Sequence, residues 1–171
     1  MTGQEIRHAA EVFIGRSIES DMALIGINEA MSKIADMGFV YGTITLEHHV
    51  LDDIHYLPAD LTNILTVHDE HGKTAPYWRQ VGDGITFDRL GTYTIQARRI
   101  PVPIESLDET PDMNQLYHRL LVSYLRMFVL AAKSEPPQLL NDEWFLQEAA
   151  RINTTLMRKR QPRQVQVIRH A

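Results

Sequence analysis

Residues 112–133 read DMNQLYHRLLVSYLRMFVLAAK. Leu116, Tyr117, Leu120, Leu121, Val122, Tyr124, Leu125, Met127, Phe128, Val129, Leu130 and Ala131 cover most of a helical wheel. Gln115, Arg119, Ser123, Arg126 and Lys133 remain as a narrow polar stripe. The period is helical and about two thirds of the circumference is apolar, so other elements have to wrap this helix on several sides. Thr110 as N-cap, Pro111 at the first helical position and Asp112 in the first turn predict its start. Pro136 and Pro137, which have no amide hydrogen, predict its end. At about 1.5 Å per residue the stretch is roughly 33 Å long, enough to cross a bilayer. Arg119 and Arg126 would each cost roughly 2.5–3.5 kcal/mol at mid-bilayer, so the segment reads as a core helix and no membrane is expected.

The flanking sequence has the same helical grammar at both ends. Thr2 with Glu5 reads as a capping box, and Ile6, Ala9, Ala10, Phe13 and Ile14 follow at helical spacing, predicting a first helix over about 3–18. Ser20 and Asp21 are candidate caps for a second helix over about 21–37. Its Leu24, Ile27, Met31, Ile34 and Ala35 would share a face, with Asn28, Glu29, Ser32, Lys33 and Asp36 pointing away. Gly38 stops it in the left-handed region and lets Phe39 pack back. Downstream, Asn141 is a candidate cap for a fourth helix over about 141–158, with Phe145, Ala149, Ile152 and Leu156 inward and Trp144 adding to the packing.

Between the second and third helices, residues 40–104 change to period two and turn signals. Val40 to Leu46 alternates, and Ile64 to Val67 is strand-like although Leu61, Ile64 and Leu65 break strict alternation. Glu70-His71-Gly72-Lys73 reads as a hairpin loop with Tyr77 to Val81 as its return strand. Gly82-Asp83-Gly84 turns again, Ile85 and Phe87 start another strand, and Thr92 to Ile100 closes the series before Pro101 and Pro103. The expected class is α+β: a bundle of about four helices with an antiparallel β-meander inserted between helices two and three. An open edge covered by a neighbour is expected at Thr92 to Ile100.

With 171 residues and 44% hydrophobic composition, the chain supports one domain, 1–157, followed by a tail, 158–171. There is no cysteine, which removes disulfides, thiolate metal sites and a cysteine nucleophile. Met1 to Glu5 lacks the basic and apolar blocks of a secretory signal, so synthesis and use in the cytoplasm are expected. The net charge of −5 is unevenly placed. Six of the 17 bases lie after residue 150, where there is no acid; residues 1–150 therefore carry −11 and residues 151–171 carry +6. So acidic a body repels a phosphate backbone.

His48, His49, Asp52, Asp53 and His55, with His68 and His71 beyond, form the cluster richest in ligating side chains. Histidine and aspartate bind zinc or iron, which admits a small metal-dependent hydrolase using His48, His49, Asp52 and His55. Adjacent strand residues point to opposite faces, however, and no pair shows the four-residue helical spacing that aims two imidazoles at one metal. Neither a nucleophile elbow nor a glycine-rich phosphate loop occurs. No catalytic residue, metal or cofactor is therefore expected. Arg158, Lys159, Arg160, Arg163, Val165, Val167 and Ile168 give the tail two readings. The bases oppose the negative end of a helix dipole, or the segment docks on an acidic partner or adds a strand to another chain's sheet.

Four stretches resemble the head-to-tail adaptors, also called head-completion or neck proteins, of tailed bacteriophages. They are Gly26-Ile27-Asn28-Glu29-Ala30 with Ile34-Ala35; Tyr56-Leu57-Pro58-Ala59-Asp60-Leu61 with Ile64 and Val67; Gly91-Thr92-Tyr93-Thr94-Ile95; and Asp108-Glu109-Thr110-Pro111 with Tyr117-His118, Leu120-Leu121 and Tyr124-Leu125. They span most of residues 22–133. The resemblance implies a virion neck protein assembled in the host cytoplasm, in which about a dozen copies form a ring below the portal protein and above a tail or stopper protein. Double-stranded DNA would pass through its channel without specific binding. It also implies that the tail, residues 158–171, reaches toward the portal, and that an acidic wall lets DNA slide.

Overall fold

The computed structural model describes residues 1–75, 77–134 and 142–160, the last three of these as backbone. Two helices come first, α1 (Gly3–Ile14) and α2 (Ser20–Asp36). Six strands follow: β1 (Tyr41–His48), β2 (His55–Tyr56), β3 (Leu61–His68), β4 (Trp78–Val81), β5 (Gly84–Phe87) and β6 (Gly91–Arg99). Two more helices complete the order, α3 (Gln115–Ala132) and α4 (Glu143–Arg160). This is the expected α+β class, with the β region between the second and third helices.

Local chemistry sets the helix ends. The capping box is formed as expected: Glu5 N–H donates to Thr2 Oγ1 and Thr2 N–H to Glu5 Oε2. α1 stops at Ile14, short of residue 18, because Gly15 takes φ 74°. Ile18 then returns to the core at 3% exposure. Phe13, expected inward, is 67% exposed. α2 closes at Gly38, φ 71°, where Phe39 N–H donates to Ile34 O and Gly38 N–H to Ala35 O. These are the paired bonds of a Schellman motif. α3 begins at Gln115, four residues after Pro111, the expected first helical position. Its cap is Asn114, whose side chain accepts from Leu116 N–H, and Asp112 is drawn away by Arg99 of β6. In α4, Phe145 and Ala149 are wholly buried and Ile152 and Leu156 pack beside them, while Trp144 is 47% exposed. Asn141, Pro136 and Pro137 lie outside the described residues.

α3 is the centre of the bundle. Tyr117, Leu120, Leu121, Val122, Tyr124, Leu125 and Val129 are buried, and Gln115, Arg119 and Arg126 form part of an exposed stripe. α2 crosses it closely at Gly26, where an added Cβ would meet Leu125 Cδ1 at 2.8 Å and Phe128 Cδ1 at 3.0 Å. The polar face of α2 does not simply point away, as the sequence suggested. Asn28 Nδ2–H donates to Ile104 O and Ile104 N–H to Asn28 Oδ1, both at 2.9 Å. Glu29 accepts from Tyr124 Oη–H at 2.7 Å, and Lys33 Nζ reaches Asp142 at 2.6 Å, just before α4. Among the described residues, no helix is long and apolar enough to cross a membrane.

The six strands form two antiparallel three-stranded sheets, ordered β1-β6-β3 and β2-β5-β4. Two sequence expectations change here. β6 lies in the middle of its sheet, so Thr92 to Ile100 is not an open edge; both β1 and β3 pair with it. Nor is β4 the return strand of the hairpin. The return is only Thr74 and Ala75 against His68 and Val67, after which the chain crosses to pair β4 with β5. The broken alternation in β3 corresponds to register shifts between Leu61 and Ile64 and between Ile64 and Thr66. Val67, Ala75, Ile85, Phe87, Tyr93 and Ile95 make a second core, separate from that of the bundle.

Two substitutions test this packing. An added side chain at Gly26 overpacks the helix crossing at a cost of about 1–3 kcal/mol. Alanine recovers about 1 kcal/mol of helix propensity, whereas β-branched valine recovers less. Gly26→Val should therefore be clearly less stable than Gly26→Ala in urea denaturation, with the m-value unchanged.

His118 is 2% exposed, and its Nδ1 lies 2.9 Å from the Met1 amino group. Burial, and then that ammonium charge, hold its pKa below the ordinary 6.5. Because the folded value is the lower one, the stability tied to neutral His118 is fully present above pH 6.5 and is lost as pH falls through the folded value. Melting temperature should fall between pH 7.5 and 5, and His118→Gln should flatten that dependence.

Candidate functional site

At the end of β1 the two neighbouring histidines, His48 and His49, part. The β1–β6 register is unbroken from Tyr41 opposite Arg98 to His48 opposite Gly91. His48 therefore shares the core face with Ile44 and Leu46, and His49 emerges beyond it. His48 is completely buried, and its Nδ1 lies 3.0 Å from His55 Nε2. One ring nitrogen donates to the other. The two imidazoles meet edge-on at 5.2 Å, Phe87 stands 5.4 Å from His48, and the Phe87 ring stacks on Tyr93 at 3.8 Å. This puts His48 and His55 at the seam between the two sheets, each drawn from a different one. The buried His48 Nε2 has no hydrogen-bond partner among the described residues.

The remaining members of the histidine-rich stretch stay apart. His49 pairs with Glu47 at 3.0 Å on the surface. Asp52 takes φ 65° with its side chain 90% exposed, 3.9 Å from Arg79. His71 sits beside Glu70 on the exposed hairpin tip. Among the described residues no three His, Cys, Asp or Glu side chains gather where they could hold a metal ion. Two imidazoles are half of a tetrahedral zinc shell. As placed, the pair fills the seam between the sheets.

The second candidate is the basic C-terminal stretch. α4 carries the backbone helically to Arg160. The side chains of Arg158, Lys159 and Arg160, and the whole of Arg163, Val165, Val167 and Ile168, lie outside the described residues. Nearer the bundle, Leu116, Arg119, Ser123, Trp144, Glu148 and Arg151 line an open groove between α3 and α4.

The acidic run before α3 is a largely solvated connection. Glu105, Asp108 and Glu109 are exposed, while Ile104 just before them and Leu107 among them are buried. The Gly3 amide donates to Glu109 O and the Gln4 amide to Leu107 O, which moors the run to the start of α1. Sequence reasoning missed the roles of Asn28, Glu29 and Arg99. Arg99 Nε donates to Asp60 at 2.8 Å, and its guanidinium clasps Asp112 with both terminal nitrogens. A polar residue every three or four positions on α2 was visible, but partners 76 to 109 residues away were not. Compared with known proteins, the chain matches no protein-family model and no curated sequence.

Proposed function

We propose that this chain is a head-to-tail adaptor of a tailed bacteriophage, a structural ring component of the virion neck that assembles in the host cytoplasm. One observation carries the reading: residues on which the family resemblance rests lie at the joints of the fold. Gly26 packs against Leu125, Asn28 clasps Ile104 just ahead of the Asp108-Glu109-Thr110-Pro111 stretch, and Glu29 accepts from Tyr124. Asp60, closing the Tyr56-Leu57-Pro58-Ala59-Asp60 stretch, binds Arg99 at the end of the strand that begins at Gly91. Stretches scattered over a hundred residues are thus parts of one packing arrangement.

The electrostatics support the same role. A body carrying −11 would line a DNA channel without gripping it, since phosphate contacts need bases rather than acids. The +6 carried by residues 151–171 suits attachment to an acidic surface, here assigned to the portal protein. The opposite end of the ring would receive a tail or stopper protein. About a dozen copies would close through heterologous contacts, which form rings when the rotation between neighbours closes.

Negative-stain imaging and native mass spectrometry of concentrated protein, alone and mixed with portal rings, test this reading. Rings with a central hole, or stoichiometric docking on the portal, are expected. Deleting residues 158–171 should abolish docking while leaving the thermal melt of the remainder unchanged. Normal docking by the truncated chain would remove the role given to the tail. Failure of the full chain both to form rings and to bind portal would overturn the adaptor reading itself.

A further inference from the structure

Among the described residues β1 is a long, unbulged edge strand whose single charge is Glu47. Arg99 N–H donates to Val40 O. With the register unbroken, Gly42, Ile44, Leu46 and His48 turn their N–H and C=O groups toward β6. Thr43, Thr45 and Glu47 turn theirs away from the sheet, and all three residues are exposed. No strand lies beyond β1 among the described residues. The opposite edge of the same sheet is protected: β3 carries two register shifts, and its Val67–His68 end is covered by Thr74 and Ala75. The outer strands of the other sheet, β2 and β4, are only two and four residues long. Proteins normally bulge, shorten, charge or cover an edge that is meant to stay single. β1 has eight residues with no bulge, no proline and no lysine.

We propose that the outer edge of β1 is a pairing surface for β1 of a second copy of this chain, in antiparallel register about a two-fold axis at Thr45. In that register Ile44 and Leu46 each meet an apolar counterpart, which the neighbouring registers do not give to both. Thr45 faces Thr45 of the second copy, Thr43 faces Glu47, and Ile44 faces Leu46. The outward N–H and C=O groups of residues 43, 45 and 47 then pair with one another, and no like charges stand opposite. On the core face, Ile44 and Leu46 are only partly buried at the rim of the second core; pairing sets each beside its apolar counterpart. On the solvent face, threonines meet threonine and glutamate. A register centred two residues later would set Glu47 against Glu47; those centred on Ile44 or Thr43 still pair the outward backbone groups but set Leu46 or Ile44, respectively, opposite Gly42. The result is one six-stranded sheet, ordered β3-β6-β1-β1-β6-β3, whose ends are the protected β3 strands. The contact is isologous and closes at two copies. A two-fold edge contact and a rotational ring differ in mass and symmetry, so the failure of one is told apart from the failure of the other.

The seam is shorter than a standard protein interface, so association is expected from roughly 0.1 to 1 mM chain. Sedimentation velocity across that range should show a monomer–dimer equilibrium. Thr45→Lys and Thr45→Glu each set like charges across the axis and should weaken self-association about tenfold or more. Mixing the two variants in equal amounts should restore the dimer, because only a residue on the axis meets itself. Thr43→Lys, which would face Glu47 of the second copy, should tighten it. All three substitutions sit at exposed positions, and unchanged thermal melts would verify the fold. A wild-type chain that stays monomeric throughout the range overturns the proposal. So does a dimer that Thr45→Lys and Thr45→Glu leave as tight as before. Amide exchange supplies a third arm: if Thr43, Thr45 and Glu47 are protected in the monomer and Val165→Glu with Val167→Glu removes that protection, the edge is held by the chain's own tail and the proposal fails.

Discussion

Tyr124 stands where α2, α3 and α4 come together, and its hydroxyl cannot be buried there without an acceptor. Glu29 supplies one at 2.7 Å, and Phe145 of α4 meets the ring edge-on at 4.6 Å. Burial first, and the Glu29 carboxylate second, push the tyrosine pKa well above its ordinary value, which keeps the hydroxyl a donor. Lys33 extends the same network. It lies 3.6 Å from Glu29 and 2.6 Å from Asp142, and its hydrogen bond to Asp142 raises its pKa despite partial burial. The helix-rich half of the molecule therefore hangs on one polar cluster set into an apolar crossing. The geometry also explains why Gly26 sits one turn away: the two helix axes have to come close enough for Glu29 to reach Tyr124.

The β region is inserted without disturbing that crossing, because both of its connections are fixed near their ends. At the entry, the Schellman bonds at Gly38 turn the chain sharply out of α2. At the exit, Arg99 binds Asp60 at the mouth of β3 and Asp112 ahead of α3, and Asn28 holds the backbone of Ile104 through two hydrogen bonds. The paired guanidinium–carboxylate contact fixes direction as well as distance, which a lysine at the same place could not do. Asp112 therefore works as a tether between lobes rather than as a charge on a helix dipole.

Much of this was legible from local sequence. The period of residues 115–132 gave the central helix and its exposed stripe, and the failed alternation around Leu61 to Leu65 corresponded to the bulges of β3. The adjacency of His48 and His49 foretold that they would part. What stayed hidden was non-local. Asp112 looked like a helix-start residue because its partner, Arg99, belongs to another element. Asn28 and Glu29 looked solvated because a polar stripe has the same spacing whether it faces water or a buried acceptor. Strand order escaped for the same reason: alternation assigns a face to each residue, but it says nothing about which strand lies beside which, and so the open edge was placed on β6 instead of β1. The pairing of His48 with His55 was likewise visible only once β2 had found β5.

The two separate cores have a consequence for how the molecule comes apart. Among the described residues, the bundle core holds twenty buried side chains and the β-region core six. Hydrophobic stabilisation scales with the apolar area removed from water, so the smaller core should give way at a lower free energy and form its own cooperative unit. The polar tethers at Arg99 and Asn28 then act as a hinge line between a durable base and a more labile head. A partner that gripped the β region would have to offset the cost of ordering this head, while the helices kept their arrangement throughout.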